Sequence, residues 1–204
     1  MTRIQQMVVA VGILAFAASG AEGQEIVLHN GDTLDGLKMT WDGQNPKARL
    51  ETNTDKQFIS EGSGSIFAGS VAPEGTDHTS YVAFRFPVDP LDMKNHALAF
   101  EVWSSEPENT LAFHVRGLNA QGKIVAGWGS WFRPLVFNAQ TMMLVPGTAS
   151  GKLRWEEPNI EAPESDIVFL EFLVGSRSWG QAYNMYVDNI RLEPTKTPTK
   201  TPSE

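Results

Sequence analysis

Three stretches in the middle of the chain alternate apolar and polar residues with a period of two, and this alternation restricts the fold more than any other feature. Thr79–Phe86 sets Val82, Phe84 and Phe86 on one side of an extended backbone and Tyr81, Ala83 and Arg85 on the other. Ala97–Trp103 places Leu98, Phe100 and Val102 inward, with Glu101 and Trp103 on the opposite face. Thr110–Arg116 repeats the pattern with Leu111, Phe113 and Val115 inward, leaving His114 and Arg116 outward. No stretch keeps apolar residues at helical spacing over the length a helix needs.

Other segments read as further strands. Asp166–Val174 is continuously hydrophobic, as expected of a strand central in its sheet. Shorter candidates are Glu25–Leu28, Leu37–Trp41, Lys47–Thr52, the segment after the Gly-rich Glu61–Ser65 turn, Lys123–Trp128, Leu135–Phe137, Met142–Val145 and Tyr183–Leu192. Eighteen Gly and twelve Pro supply the turns between them. Roughly eight to ten short strands with frequent turns specify an all-β, two-sheet antiparallel sandwich.

The termini read differently. Arg3 and the apolar run Met7–Ala18 form the n- and h-regions of a signal peptide over residues 1–23. Cleavage is expected after Ala21 or Gly23, and an uncleaved anchor is the alternative; the run is short for a bilayer span. The protein is therefore expected to be secreted or extracytoplasmic, with no stable membrane insertion after cleavage. Residues 195–204, a Thr/Pro/Lys repeat, cannot bury a core and are expected to form an extended tail. Residues 24–194 remain as the folded domain.

Composition excludes several functions. A formal net charge of −8 gives no counterion-release drive toward nucleic acid. With no cysteine, the chain has no disulfide, zinc–thiolate site or cysteine nucleophile. There is no Gly-x-Ser-x-Gly, His-Glu-x-x-His or dinucleotide fingerprint. The adjacent Glu156 and Glu157, beside Pro158, read as solvated surface and not as an acid–base dyad.

Aromatic residues point to a binding role. Trp103, Trp128, Trp131 and Trp179 lie beside Gly, Ser or polar residues, whereas Trp41 and Trp155 read as packing. Sugar rings present flat C–H faces that stack on indole, while Glu, His and Arg side chains hydrogen-bond hydroxyls. If Ala97–Trp103 and Thr110–Arg116 form a hairpin, Glu101 lies opposite His114 and Trp103 opposite Ala112. One face would then carry Trp103, Glu101, His114 and Arg116.

The closing segment Val187-Asp188-Asn189-Ile190-Arg191-Leu192 resembles the last strand of jelly-roll carbohydrate-binding modules, within the wider galactose-binding-like β-sandwich group. The Glu61-Gly-Ser-Gly-Ser-Ile turn resembles the entry into one of their early strands. The resemblance implies a jelly roll that binds a polysaccharide or glycan without catalysis. It also implies a structural calcium held by Asp188 and Glu61, with Asn30 or Asp32 replacing the early carboxylate of those families. The other reading of Asp188 is a buried carboxylate bonded to neighbouring backbone N–H groups. Two rival functions share the fold: a structural or adhesive protein associating with other surface proteins, and a small polysaccharide lyase or glycosidase.

Overall fold

The computed structural model describes residues 24–41, 45–74, 80–91, 93, 95–110, 112–130, 150–155, 159–160, 166–176 and 180–194. These form twelve strands: β1 (Ile26–His29), β2 (Lys38–Trp41), β3 (Arg49–Asn53), β4 (Ser65–Val71), β5 (Ser80–Pro87), β6 (His96–Trp103), β7 (Ala112–Leu118), β8 (Ile124–Ser130), β9 (Ser150–Trp155), β10 (Asn159–Ile160), β11 (Phe169–Ser176) and β12 (Ala182–Pro194). A single 3-10 turn, Lys56–Phe58, precedes β4; the Asp55 side chain caps it by accepting from the Gln57 N–H. The signal-peptide and tail segments, and the strands expected at Leu135–Phe137 and Met142–Val145, lie outside the described residues.

Two antiparallel sheets stack face to face. The first runs β3-β4-β12-β6-β9, with β1 pairing the C-terminal half of β12; the second runs β10-β8-β7-β11-β5-β2. The predicted inward sets hold for the described residues. Val82, Phe84, Phe86, Leu98, Phe100, Val102, Phe113 and Val115 all lie in the core with Leu170, Phe172 and Val174 of β11. Phe172 holds the centre, stacked on Phe84 at 5.2 Å and edge-on to Phe100 at 5.1 Å. As its composition indicates, β11 is central, between β5 and β7.

The β6–β7 hairpin does not form. β6 belongs to the first sheet, where Glu101 pairs with Asp188 and Lys152. β7 belongs to the second, where His114 pairs with Leu173 and Gly129. Alternation fixes which side of a strand faces the core, but both sheets bury that same kind of side, so it cannot assign a strand to a sheet. The connection crosses from one sheet to the other and is tied to β12 by Asn184. The Asn184 side-chain oxygen accepts from the Ser105 N–H at 3.0 Å and the Ser104 hydroxyl at 3.2 Å, and its amide donates to the Ser105 hydroxyl at 2.9 Å. Because Asn184 is buried, Asn184→Ala is expected to cost about 2 kcal/mol. It should appear as a lower urea midpoint with unchanged slope.

β12 breaks its own alternation. Tyr183, Met185 and Val187 face the core, then Ile190 and Leu192, an odd-to-even switch produced by a bulge between Asp188 and Arg191. Asn189 supplies the left-handed turn of that bulge at φ 49°. The bulge puts Asp188 and Arg191 on the same outer face.

Candidate functional site

The loops that carry the four predicted metal ligands meet on the outer side of the first sheet, with the Glu61 side chain turned to solvent. Asp188 is fully buried there. Its Oδ2 accepts from the Ser60 N–H and hydroxyl, both at 2.7 Å, and from the Glu61 N–H at 3.2 Å; Oδ1 accepts from the Asn189 N–H at 2.8 Å. Asp32 Oδ1 accepts from the Ser63 N–H at 2.6 Å, the Ser63 hydroxyl at 3.1 Å and the Gly64 N–H at 2.9 Å, while Oδ2 accepts from the Asn30 amide. The Ser63 backbone N–H is the main reason the Asp32 carboxyl stays below the ordinary carboxylate range. Burial lowers the neighbouring His29, whose Nδ1 accepts from the Gly31 N–H at 3.0 Å. Glu61 contributes its backbone N–H, and its side chain is exposed.

Gly31, at φ +83°, packs directly against the Asp188 carboxylate, where a Cβ would fall on Oδ1. This cluster clips the β1–β2 loop to the loop before β4. Asp188 Oδ2 and Asp32 Oδ1 each already accept from three N–H or O–H donors, in directions a calcium ion would need. Among the described residues, no three His, Cys, Asp or Glu gather where they could hold a metal. As arranged, the four residues fit N–H-capped carboxylates and not a cation cage.

Glu101, expected to contact ligand beside His114, is engaged within the fold. Arg191, only 2% exposed, donates to Glu101 Oε2 at 3.2 Å, to Glu193 at 2.7 Å and to the Asn189 carbonyl at 2.8 Å. Burial pulls the Arg191 guanidinium downward, but Glu101 and Glu193 outweigh it and the net shift is upward. This ion pair also offsets the repulsion of two carboxylates, Glu101 and Asp188, facing each other across strands.

Trp103 lies on the same face, opposite Tyr186 in register and half-buried. The ring of Tyr186 is already stacked on Phe58 at 3.9 Å, with Phe67 at 5.1 Å.

His114 and Arg116 face outward from the second sheet, away from Glu101 and Trp103. There Arg116 donates to Glu171 Oε1 at 3.2 Å and Arg85 to Oε2 at 3.0 Å, while the Thr40 hydroxyl donates to Oε2 at 2.8 Å. Glu171 is 5% exposed and His114 7%. Beyond this network, at the β2–β5 edge, Trp41 is 48% exposed and meets Tyr81 edge-on at 5.6 Å. A bulge in β2 sets Trp41 opposite Ala83 and Lys38 opposite Arg85.

An exposed indole, a second aromatic and several charged side chains thus share one outer face. Trp41, which reads from sequence as packing, is half-exposed there. Clefts of about 300 and 540 Å3 elsewhere, around Lys47 and Tyr183 and between Ile26 and Leu91, do not include it.

Trp128 lies on β8 opposite Val115, flanked by Gly127 opposite Arg116 and Gly129 opposite His114. Trp131 and Trp179 lie outside the described residues, as do Glu156 and Glu157. Sequence patterns do not single out Lys38, Thr40, Trp41, Tyr81, Arg85 and Glu171 as a site. One signal is present: a carboxylate inside the hydrophobic run of β11 demands a cationic partner. Tyr81 and Arg85 also share an outward face by alternation alone.

No family model matches the sequence, and no curated protein is similar to it in sequence. Among solved structures it is similar to a β-sandwich-superfamily carbohydrate-binding module described for promiscuous specificity. That match has a TM-score of 0.52 at 10% identity and covers 81% of this chain and 61% of the other. It is also similar to a carbohydrate-binding module specific for non-crystalline cellulose, with a TM-score of 0.50 at 13% identity over 83% of this chain and 94% of that one. A further similarity, TM-score 0.47 at 12% identity over 80% of this chain, is to the enzymatically active domain of bacteriophage CBA120 tailspike protein 4; the chain spans 20% of that molecule. The chain is an all-β, two-sheet antiparallel jelly-roll sandwich, the fold of the carbohydrate-binding modules it resembles.

Proposed function

We propose that the protein is an exported, non-catalytic glycan-binding module whose saccharide stacks on Trp41, with the polar groups of the second sheet's outer face beside it. The observation that carries this is the half-exposed Trp41 set edge-on to Tyr81 on the face that bears Arg85, Glu171 and Arg116. A half-exposed indole at a sheet edge offers a flat apolar surface that a pyranose ring fits. Glu171, with both oxygens bonded to cations, is poorly disposed to act as a general acid or base, which favours binding over catalysis.

The test is affinity electrophoresis and pull-down on a polysaccharide panel. Trp41→Ala is expected to weaken retention by about 2 kcal/mol, roughly thirty-fold, with the fold intact by circular dichroism. Trp103→Ala serves as the opposite-sheet comparison. Loss there, with Trp41→Ala unaffected, would move the site to the first sheet. A folded protein that no glycan retains would favour the adhesive reading, and soluble product released from the panel would favour the enzymatic one.

Calcium is expected to be dispensable in this reading, because the Asp32 and Asp188 clip closes on N–H donors. A rise in Tm with millimolar calcium, reversed by chelator, would restore the structural cation.

A further inference from the structure

We infer that the Trp41 face takes an anionic saccharide, one bearing carboxylate or sulfate groups, with Lys38 and Arg85 as its counter-ions. The inference rests on the glycan reading above and narrows it to a ligand class.

On the strands of the second sheet, the described outward charges are three cations, Lys38, Arg85 and Arg116, against one carboxylate, Glu171. This excess sits on a chain of net charge −8, so it is a local feature and not a general basicity.

The hydrogen-bonding character of these groups is one-sided. A neutral sugar hydroxyl both donates and accepts, and a site for it supplies acceptors as well as donors. Here the one carboxylate is closed: Glu171 Oε1 holds Arg116, and Oε2 holds Arg85 and the Thr40 hydroxyl. The charged side chains that face solvent beside Trp41 are cations, which only donate. Lys38 is exposed and has no ion-pair partner among the described residues. Arg85 gives Glu171 one terminal nitrogen and keeps 29% of its side chain exposed. Cationic donors complement anionic acceptors, and the common anionic saccharide substituents are carboxylate and sulfate.

The spacing agrees. Lys38 and Arg85 are cross-strand partners, and the Trp41–Ala83 pair is the next on the same face. Two residues along a strand span about 7 Å. A ring stacked on Trp41 would therefore set its own substituent, or that of the adjoining residue, against both cations.

The test compares polymers that differ only in charge. One arm sets polygalacturonate against its fully methyl-esterified form; the other sets a sulfated galactan against its desulfated form. Retention is expected on an acidic member, with at least roughly ten-fold loss on removing its charge and a comparable loss on raising salt. The arm that responds identifies carboxylate or sulfate.

Lys38→Glu, an exposed change remote from the core, is expected to lose roughly ten-fold on the acidic polymer while the melting curve stays unchanged. Equal retention on charged and neutral members, still lost in Trp41→Ala, would overturn the anionic assignment and leave glycan binding standing. Binding to neither by a folded protein would overturn both.

Discussion

Asp188→Asn is expected to destabilise the protein by about 4 kcal/mol, near the upper end of what one substitution does. The amide keeps one acceptor oxygen but turns an N–H2 group toward the donors that now converge on the carboxylate: the Ser60 N–H and hydroxyl, the Glu61 N–H and the Asn189 N–H. At least one buried backbone N–H loses its acceptor, and the new donor has none. For a chain of this size the melting temperature should fall by roughly 10 °C. Amide exchange should rise first in residues 30–35 and 59–64, which the clip holds together. Gly31→Ala should act on the same contact from the other side, since its Cβ would fall on Asp188 Oδ1 and its φ of +83° is strained for alanine. Unchanged exchange in those loops would mean that Asp188 does not anchor them.

Arg191→Met is expected to cost about 3 kcal/mol by the same measurement. The guanidinium is 2% exposed and bonds Glu101, Glu193 and the Asn189 carbonyl. Removing it strands Glu101, 13% exposed, beside buried Asp188. Glu101 and Glu193 keep some access to water, which places the cost at the lower end for a broken buried pair. Combining Arg191→Met with Glu101→Leu should recover much of the loss, because a well-packed apolar pair replaces the desolvated ions. Glu101→Gln should lower stability and leave glycan retention unchanged. Loss of retention without loss of stability would return Glu101 to the ligand site.

Much of the fold is legible in single strands. The inward sets of β5, β6 and β7 can be read residue by residue, because a two-residue period separates core from solvent within any one strand. The central position of β11 follows from its unbroken apolar run. β9 and β10 carry no such pattern, and nothing in their residues announces them. The shift from Val187 to Ile190 is visible in the sequence as a break in alternation, but it acquires meaning only through the bulge that brings Asp188 and Arg191 to one face.

The candidate site is less legible. Outward positions on neighbouring strands group Glu101 and Trp103 with His114 and Arg116. The connection secured by Asn184 carries β7 to the other sheet and separates them. Trp41 reads as packing because its short strand offers too few residues to establish a face.

Local period and residue chemistry are written along the chain, and from them follow the class of fold, the inward set of each longer strand and the functions that composition excludes. Which outward residues meet is a different matter. Strand-to-sheet assignment depends on contacts between segments far apart in the chain, such as Arg85 and Arg116 with Glu171, or Ser60 with Asp188. A local period is the same in either sheet, so packing alone settles where its outward side chains converge.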